Sequence, residues 1–438
     1  MAVADRWRFA CEVCGASLLG FETRDEFASS DPLTPQSKRR PELMKHLAHA
    51  LTLALTGFWG MGTVAAAETP ASPVAHIDDG IEQAAEAVTA ALETSLYHLY
   101  VSPQGSDANP GTEASPFRTI QRAANVAKAS TTIHVAEGAY PGNIDSSASG
   151  TASGRVIFLS DKAHPAKVVG TGTETMWKNN GSFVDIIGFD VSGPGRLGIY
   201  NAGSNTRIIN NHVHDLAVSG GCTGNGGAGI LNGNYSASDN DVIGNYVHDI
   251  GKPGTCNGVQ GIYHSNLRGH IYNNVVYRVS AYGIHLWHAA NNVTIANNDT
   301  FANGSATMGG GILIGAGDSP GGIVLDYTKV HNNIVYDNPG VGIIEYCYDG
   351  EDCIGAHNTV ANNLVYGNGR GIIMKVGSAT DTVVANPRFR DYSQIDLRLR
   401  KKSPAIDKGT ADGAPADDMR HVARPRGNGI DIGAYESH

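Results

Sequence analysis

A histidine and three large rings fall at matching places in a phrase that the chain repeats. The phrase is Gly-Ile or its like, with its isoleucine at Ile199, Ile230, Ile262, Ile284, Ile312, Ile343 and Ile372. If each isoleucine points inward, the residue after it and the third after it point outward. On that register Tyr200, Leu231, Tyr263, His285, Leu313, Ile344 and Lys375 make one outer column. Ala202, Gly233, Ser265, Trp287, Gly315, Tyr346 and Gly377 make the next. Tyr263 and His285 can exchange protons, and hydrogen bonds or nearby charge tune such groups toward working pH. Trp287 and Tyr346 offer flat faces on which a sugar ring stacks. Adjacent strands place Tyr263 and His285 about 5 Å apart, whereas Lys375 lies about 14 Å from His285. Lys375 therefore shares no proton-transfer step with His285 and at best holds a distant part of a ligand.

A second phrase sets the elements that must carry these residues. Six copies, centred on Asn211, Asn245, Asn274, Asn298, Asn333 and Asn363, follow one another at 34, 29, 24, 35 and 30 residues. Two short strands per irregular period of this length indicate a coiled array rather than a globule. Each asparagine is expected to stack on its counterparts above and below in a side-chain ladder. Two residues on, Val213, Val247, Val276, Thr300, Val335 and Val365 turn into the core. The next positions, His214, His248, Tyr277, Phe301, Tyr336 and Tyr366, form a ring column, so stacking explains the two histidines better than metal binding does. His264 is phased inward, and His288 ends its strand, where it caps a turn. Loops of 19 and 17 residues lead to Ile230 and Ile262, and stretches of 21 and 20 leave Ile312 and Ile343. Long decorations on a rigid array wall a surface near His285.

The 55 glycines and a charged fraction of 17% suit many short strands joined by tight turns. The net charge of −10 gives no general attraction to nucleic acid or to anionic membranes. Cys222 and Cys256 each lie 11 residues beyond a ladder asparagine, so they occupy one turn on consecutive coils and are expected to pair. Cys347 and Cys353 would close a small loop. That loop carries Asp349, Glu351 and Asp352, enough oxygen ligands for a calcium site, with a solvated acidic loop as the plainer alternative.

The N-terminal region reads as processing signals. Met44-Lys45-His46, an apolar run from Leu47 to Val64 and Ala65-Ala66-Ala67 match a signal peptide over 44–67. Residues 1–43 then read as an upstream extension; the alternative is a genuine tail whose Cys11 and Cys14 form a lone Cys-x-x-Cys. Residues 68–96 read as a helical segment or linker, 97–385 as the array and 386–438 as a C-terminal extension. Cleavage would release a monomer to the exterior or the periplasm, with no membrane attachment. A helix opening at Ser115-Pro116-Phe117 would cover the open end of the stack.

The stretch Tyr100-Val-Ser-Pro-Gln-Gly-Ser-Asp-Ala-Asn-Pro-Gly-Thr followed by Pro116-Phe117 resembles the opening of secreted, right-handed parallel β-helix proteins of the pectate-lyase-like superfamily. The tail, Ser403-Pro-Ala-Ile-Asp-Lys-Gly with Asp431-Ile-Gly-Ala-Tyr-Glu, resembles a C-terminal segment of bacterial members. The resemblance spans about residues 98–438 and implies an all-β fold with a short N-terminal helical cap. Many such proteins are polysaccharide lyases, although adhesins share the architecture.

β-Elimination from a uronate needs a carboxylate neutraliser, a base for the C5 proton and an acid for the leaving oxygen. His285 and Tyr263 fit the proton steps in either order, and Arg268, Arg278 or a bound Ca²⁺ the neutralisation. Glycoside hydrolysis needs paired carboxylates, which the outer columns lack. The Gly-His-Gly of polygalacturonase-like β-helices and the Lys/Arg plus Asn/Glu/Glu calcium pattern of chondroitinase-B-like relatives are also missing. Two further outcomes stay open, a non-catalytic glycan-binding surface protein and a uronate C5-epimerase.

Overall fold

A computed structural model describes residues 95–172, 175–218, 222, 226–316, 324–348 and 352–437. The expectations for 1–43, for the signal peptide 44–67 and for nearly all of 68–96 fall outside the described residues.

Each coil contributes three strands, one to each of three parallel sheets. Sheet 1 has ten strands, from Tyr97–Val101 to Thr359–Ala361. Sheet 2 has nine, from Ile144–Ser146 to Arg370–Ile373, and sheet 3 has nine, from Gly138–Pro141 to Leu364–Tyr366. The expectation of two strands per period is corrected here. The missed strands are short sheet 1 segments such as Arg207–Ile209, Asp241–Ile243 and Lys329–His331, which end just before the asparagine phrase. Three residues are too few to display a period of their own.

The asparagine phrase is the corner between sheets 1 and 3. Its first residue has a left-handed backbone in every coil: Asn210, Asn273, Asn297, Asn332 and Asn362 have φ between 52° and 59°, and Gly244 has φ 67°. Glycine and asparagine adopt that region at the least cost, which explains the residue type. The second residue builds the ladder. Asn211 Nδ2 donates to Asn245 Oδ1 at 3.1 Å, and the pattern continues through Asn274, Asn298, Asn333 and Asn363 at 2.9–3.0 Å. All six are buried. Two shorter ladders were not read from the sequence. One runs Asn303, Asn338, Asn368 after sheet 3; the other runs Asn179, Asn201, Asn232 and ends on His264 at the edge of sheet 2.

The isoleucines from Ile199 to Ile343 are fully buried, as are Val213, Val247, Val276, Thr300 and Val335. The core is thus the tube interior, a stack of aliphatic layers whose register follows the two sequence phrases. A short helix, Ile120–Val126, is capped by Thr119, and buries Ile120, Ala123 and Ala124 against the first coils. After the last coil the chain forms one antiparallel pair, Phe389–Asp391 with Asp396–Leu399. It then lies on the outer face of sheet 3, where Leu397, Ala405, Met419, Ile432 and Tyr435 pack against Tyr246, Val275, Ile334 and Leu364. The architecture is a parallel β-helix with a packed C-terminal strap.

Candidate functional site

Sheet 2 brings Tyr263 and His285 side by side. They are partners in register on Val259–His264 and Tyr282–Leu286, and their rings stack at 4.8 Å with 21° between planes. Both residues are partly exposed on the outer face, because Ile262 and Ile284 beneath them fill the core, although both ring nitrogens of His285 are covered. Trp287 continues the row, edge-on to His285 at 5.5 Å and stacked on Tyr346 at 5.8 Å.

Trp287 differs from expectation. It is only 9% exposed, so it is a covered wedge and not an open platform. The cause lies one coil away: a Cβ on Gly315 would meet the indole Cζ3 at 2.4 Å, so the missing side chain is where the ring lies down. Tyr346, 41% exposed, is the ring left open at that end.

Lys375 also needs correcting. Ile373 pairs with Ile344, so Lys375 falls two residues further on, beside the Tyr346 column rather than in the His285 column. Its side chain is exposed, and its backbone N–H donates to Glu345 Oε2 at 2.8 Å. Glu345 itself points inward, and burial raises its carboxyl above the ordinary range, partly offset by the N–H groups of Val376 and Lys375. His264 is fully buried, between Asn232 Nδ2 at 3.1 Å and the carbonyl of Arg268 at 3.2 Å. Burial lowers it to about 4, so it is a core group, as its phase implies.

The two arginines are engaged elsewhere. Arg268 follows the turn after His264 and grips Asp239 with two bonds of 2.6 and 2.7 Å. Arg278 belongs to the end of a sheet 3 strand, Val275–Tyr277, where it holds Asp249 at 2.7 and 2.5 Å. Neither is part of the ring row. Asp349 and Glu351 lie outside the described residues, and Asp352 is exposed beside Cys353. Both expected disulfides are formed, Cys222–Cys256 and Cys347–Cys353.

Three participants, Tyr235, Tyr282 and Arg370, were missed by the sequence reading, and His288, read there only as a turn cap, joins the row. Tyr235 stacks on His288 at 4.4 Å, and His288 lies 6.1 Å from Tyr263, extending the row past its lower end. Tyr282 meets His285 edge-on at 5.6 Å, with burial raising its hydroxyl pKa and the charge of Arg370 opposing that shift. Tyr235 and His288 sit in turns, which carry no periodic signal. Tyr282 and Arg370 lie two residues before an isoleucine, in a column that was not followed.

A separate cleft of about 580 Å³ opens at the C-terminal strap, lined by Tyr336, Phe389, Tyr392, Arg388, Arg400 and Lys401 among others. It contains cations and rings but no histidine. The ring row holds a stacked histidine–tyrosine pair, so it is the stronger candidate for chemistry.

Comparison with known proteins agrees with this architecture. The fold is the parallel β-helix of the pectate-lyase kind. The pectate lyase Pel9A superposes with a TM-score of 0.55 at 17% identity, over 78% of this chain and 97% of that one. An alginate lyase from Paenibacillus gives 0.42 at 16%, covering 67% and all of that chain, and a rhamnogalacturonan lyase gives 0.40 at 17%, covering 72% and 97%. A family described as a protein of unknown function, DUF1565, matches residues 103–147. The uncharacterised Bacillus subtilis protein YwoF is 46% identical over 66 residues, which is 15% of this chain and 14% of its own length. Among the described residues no helix is long and apolar enough to cross a membrane.

Proposed function

We propose that the chain is a secreted polysaccharide lyase that cleaves a uronate-containing glycan by β-elimination. The observation that carries the reading is the stacked Tyr263–His285 pair, flanked by Trp287 and Tyr346 on the outer face of sheet 2. Two proton-active groups one strand apart can serve one sugar ring, with His285 taking the C5 proton and Tyr263 protonating the leaving oxygen, or the reverse. Tyr346 and Tyr235 supply open rings for neighbouring sugars. Arg370, whose charge reaches the Tyr282 hydroxyl from three coils away, is the candidate on this sheet to offset a substrate carboxylate, alone or with a bound Ca²⁺. The two disulfides suit an oxidising compartment, outside the cell or in the periplasm.

The test is formation of an ultraviolet-absorbing unsaturated product from a panel of polyuronates beginning with pectate, with and without chelator. His285→Ala is expected to lower turnover by about 10²–10⁴-fold, and Tyr263→Phe to lower it too, both with melting temperature retained. A folded His285→Ala variant that eliminates at the normal rate removes His285 from the chemistry. Product with inverted C5 and no new double bond would instead indicate epimerisation.

A second reading, binding of an acidic glycan without catalysis, is favoured by the strap cleft, where Arg388, Arg400 and Lys401 stand beside three aromatic rings. Saturable glycan binding with no product, weakened by Arg388→Ala and not by His285→Ala, would decide for it.

A further inference from the structure

Three histidines on sheet 3, away from the ring row, point their nitrogens at one another. Val213 and Val247 fill the core, so alternation turns His212, His214, Tyr246 and His248 to the outer face. One coil earlier Asp190 is in register with His212. One ring nitrogen from each of His212, His214 and His248 lies within 4.8 Å of the others. His212 Nε2 and His248 Nε2 face each other at 2.8 Å, and the His212 and His214 rings stack at 3.9 Å. The Asp190 carboxylate approaches from below, with Oδ1 3.3 Å from His214 Nε2 and Oδ2 3.9 Å from His212 Nδ1.

Stacking accounts for the ring planes of His214, His248 and Tyr277, but not for what holds the other nitrogens. His214 Nδ1 is 2.8 Å from Asp215, and His248 Nδ1 is 2.5 Å from Asp249, which Arg278 clamps in turn. Asp215 and Asp249 have φ of 49° and 53°. That left-handed turn recurs in later coils at Arg278, Ala302 and Asp337, so the fold sets it. Only these two coils place a carboxylate there directly after a histidine. A carboxylate on Nδ1 keeps the proton on that nitrogen and leaves the Nε2 lone pair outward, the usual arrangement behind a metal-bound imidazole. His214 Nε2 is buried, and its polar neighbour is the Asp190 carboxylate at 3.3 Å. The lone pair of His248 confronts His212 Nε2, so that contact is bridged by one proton or by a shared cation.

We propose that His212, His214 and His248 bind a divalent ion of the zinc class in a structural site that ties two successive coils together, with the Asp190 carboxylate beside it. Three imidazoles suit tetrahedral Zn²⁺, with the neighbouring Asp190 carboxylate or water to complete the shell. Zn–N bonds of about 2.0–2.1 Å require nitrogens about 3.3 Å apart. The 2.8 Å gap therefore opens by about half an ångström, within the reach of side-chain rotation.

The test is calorimetric titration of the full chain, first stripped with chelator, with Zn²⁺ alone, together with visible absorption after Co²⁺ substitution. The expected result is one saturating equivalent, a melting temperature that rises with metal and a tetrahedral Co²⁺ spectrum. His214→Ala, at the partly exposed edge, should weaken binding at least ten-fold. Asp249→Asn touches no metal and should weaken it about 10–100-fold, so a folded second variant keeps the test decisive if the first misfolds. Zn²⁺ taken up elsewhere, at Cys11 and Cys14 for instance, would be indifferent to both substitutions. That result, or the absence of saturable binding in the unmodified protein, overturns the proposal.

Discussion

Gly315 sets the shape of the ring row by having no side chain. In Gly315→Ala the new methyl would meet the Trp287 ring at 2.4 Å and the Tyr346 carbonyl at 2.7 Å. We expect a loss of about 1–3 kcal/mol, read by urea denaturation, and a changed tryptophan emission as the indole is lifted from Tyr346. The Tyr263–His285 pairing was legible because it needs only the phase of one isoleucine per coil. The pose of Trp287 was not, since it depends on what the next coil lacks. Arg278 was misplaced for a related reason. Its charge suggested a ligand role, whereas its position at the sheet 3 turn commits it to Asp249.

At the scale of elements, the asparagine ladder converts a sequence period into a register. Asn274 accepts from Asn245 and donates to Asn298 and to the carbonyl of Val242, all buried. Asn274→Ala strands two of these partners, and at about 1–3 kcal/mol each the expected loss is about 2–6 kcal/mol, measurable as a lower urea midpoint. The ladder was readable because most coils ask for asparagine at two consecutive positions, the first for the left-handed corner and the second for the side-chain bond. The sheet 1 strands were not readable, being only three residues long in several coils. The Cys222–Cys256 disulfide followed from the same register, and Cys347–Cys353 from the shortness of its loop. Cys222–Cys256 closes 34 residues of sequence and Cys347–Cys353 only 6. Chain entropy then assigns about 3–4 kcal/mol to the first and about 2 to the second. Cys222→Ser with Cys256→Ser should therefore lower the denaturation midpoint more than the matching pair of changes at Cys347 and Cys353.

For the molecule as a whole, the strap joins distant coils through buried charge. Arg424 and Glu436 pair at 2.7 Å with no exposure, and Tyr435 meets Tyr246 hydroxyl to hydroxyl at 2.7 Å. Asp299 lies beneath Gly433; it accepts from the Ala434 N–H through Oδ1, while its Oδ2 has no partner. Burial pushes its carboxyl from 3.8 up to about 8. The folded state thus holds a proton that the unfolded state releases, and Asp299 costs nothing below about pH 4. Its cost grows as pH rises from there and is complete above about pH 8, on the order of a few kcal/mol. Asp299→Asn should raise stability at pH 8 and leave it nearly unchanged at pH 4, as unfolding curves at the two values would record. His264 works in the opposite sense. Its pKa is depressed to about 4, so its contribution is present above about 6.5 and fades as the solution is acidified toward 4. Because each rung bonds only to its immediate neighbours, a whole turn is an exchangeable cassette. Excising residues 274–297 would let Asn245 meet Asn298 directly and bring Leu313 next to Tyr263, yielding a shortened rod that has lost His285 together with the bonds of Asn297 to the strap.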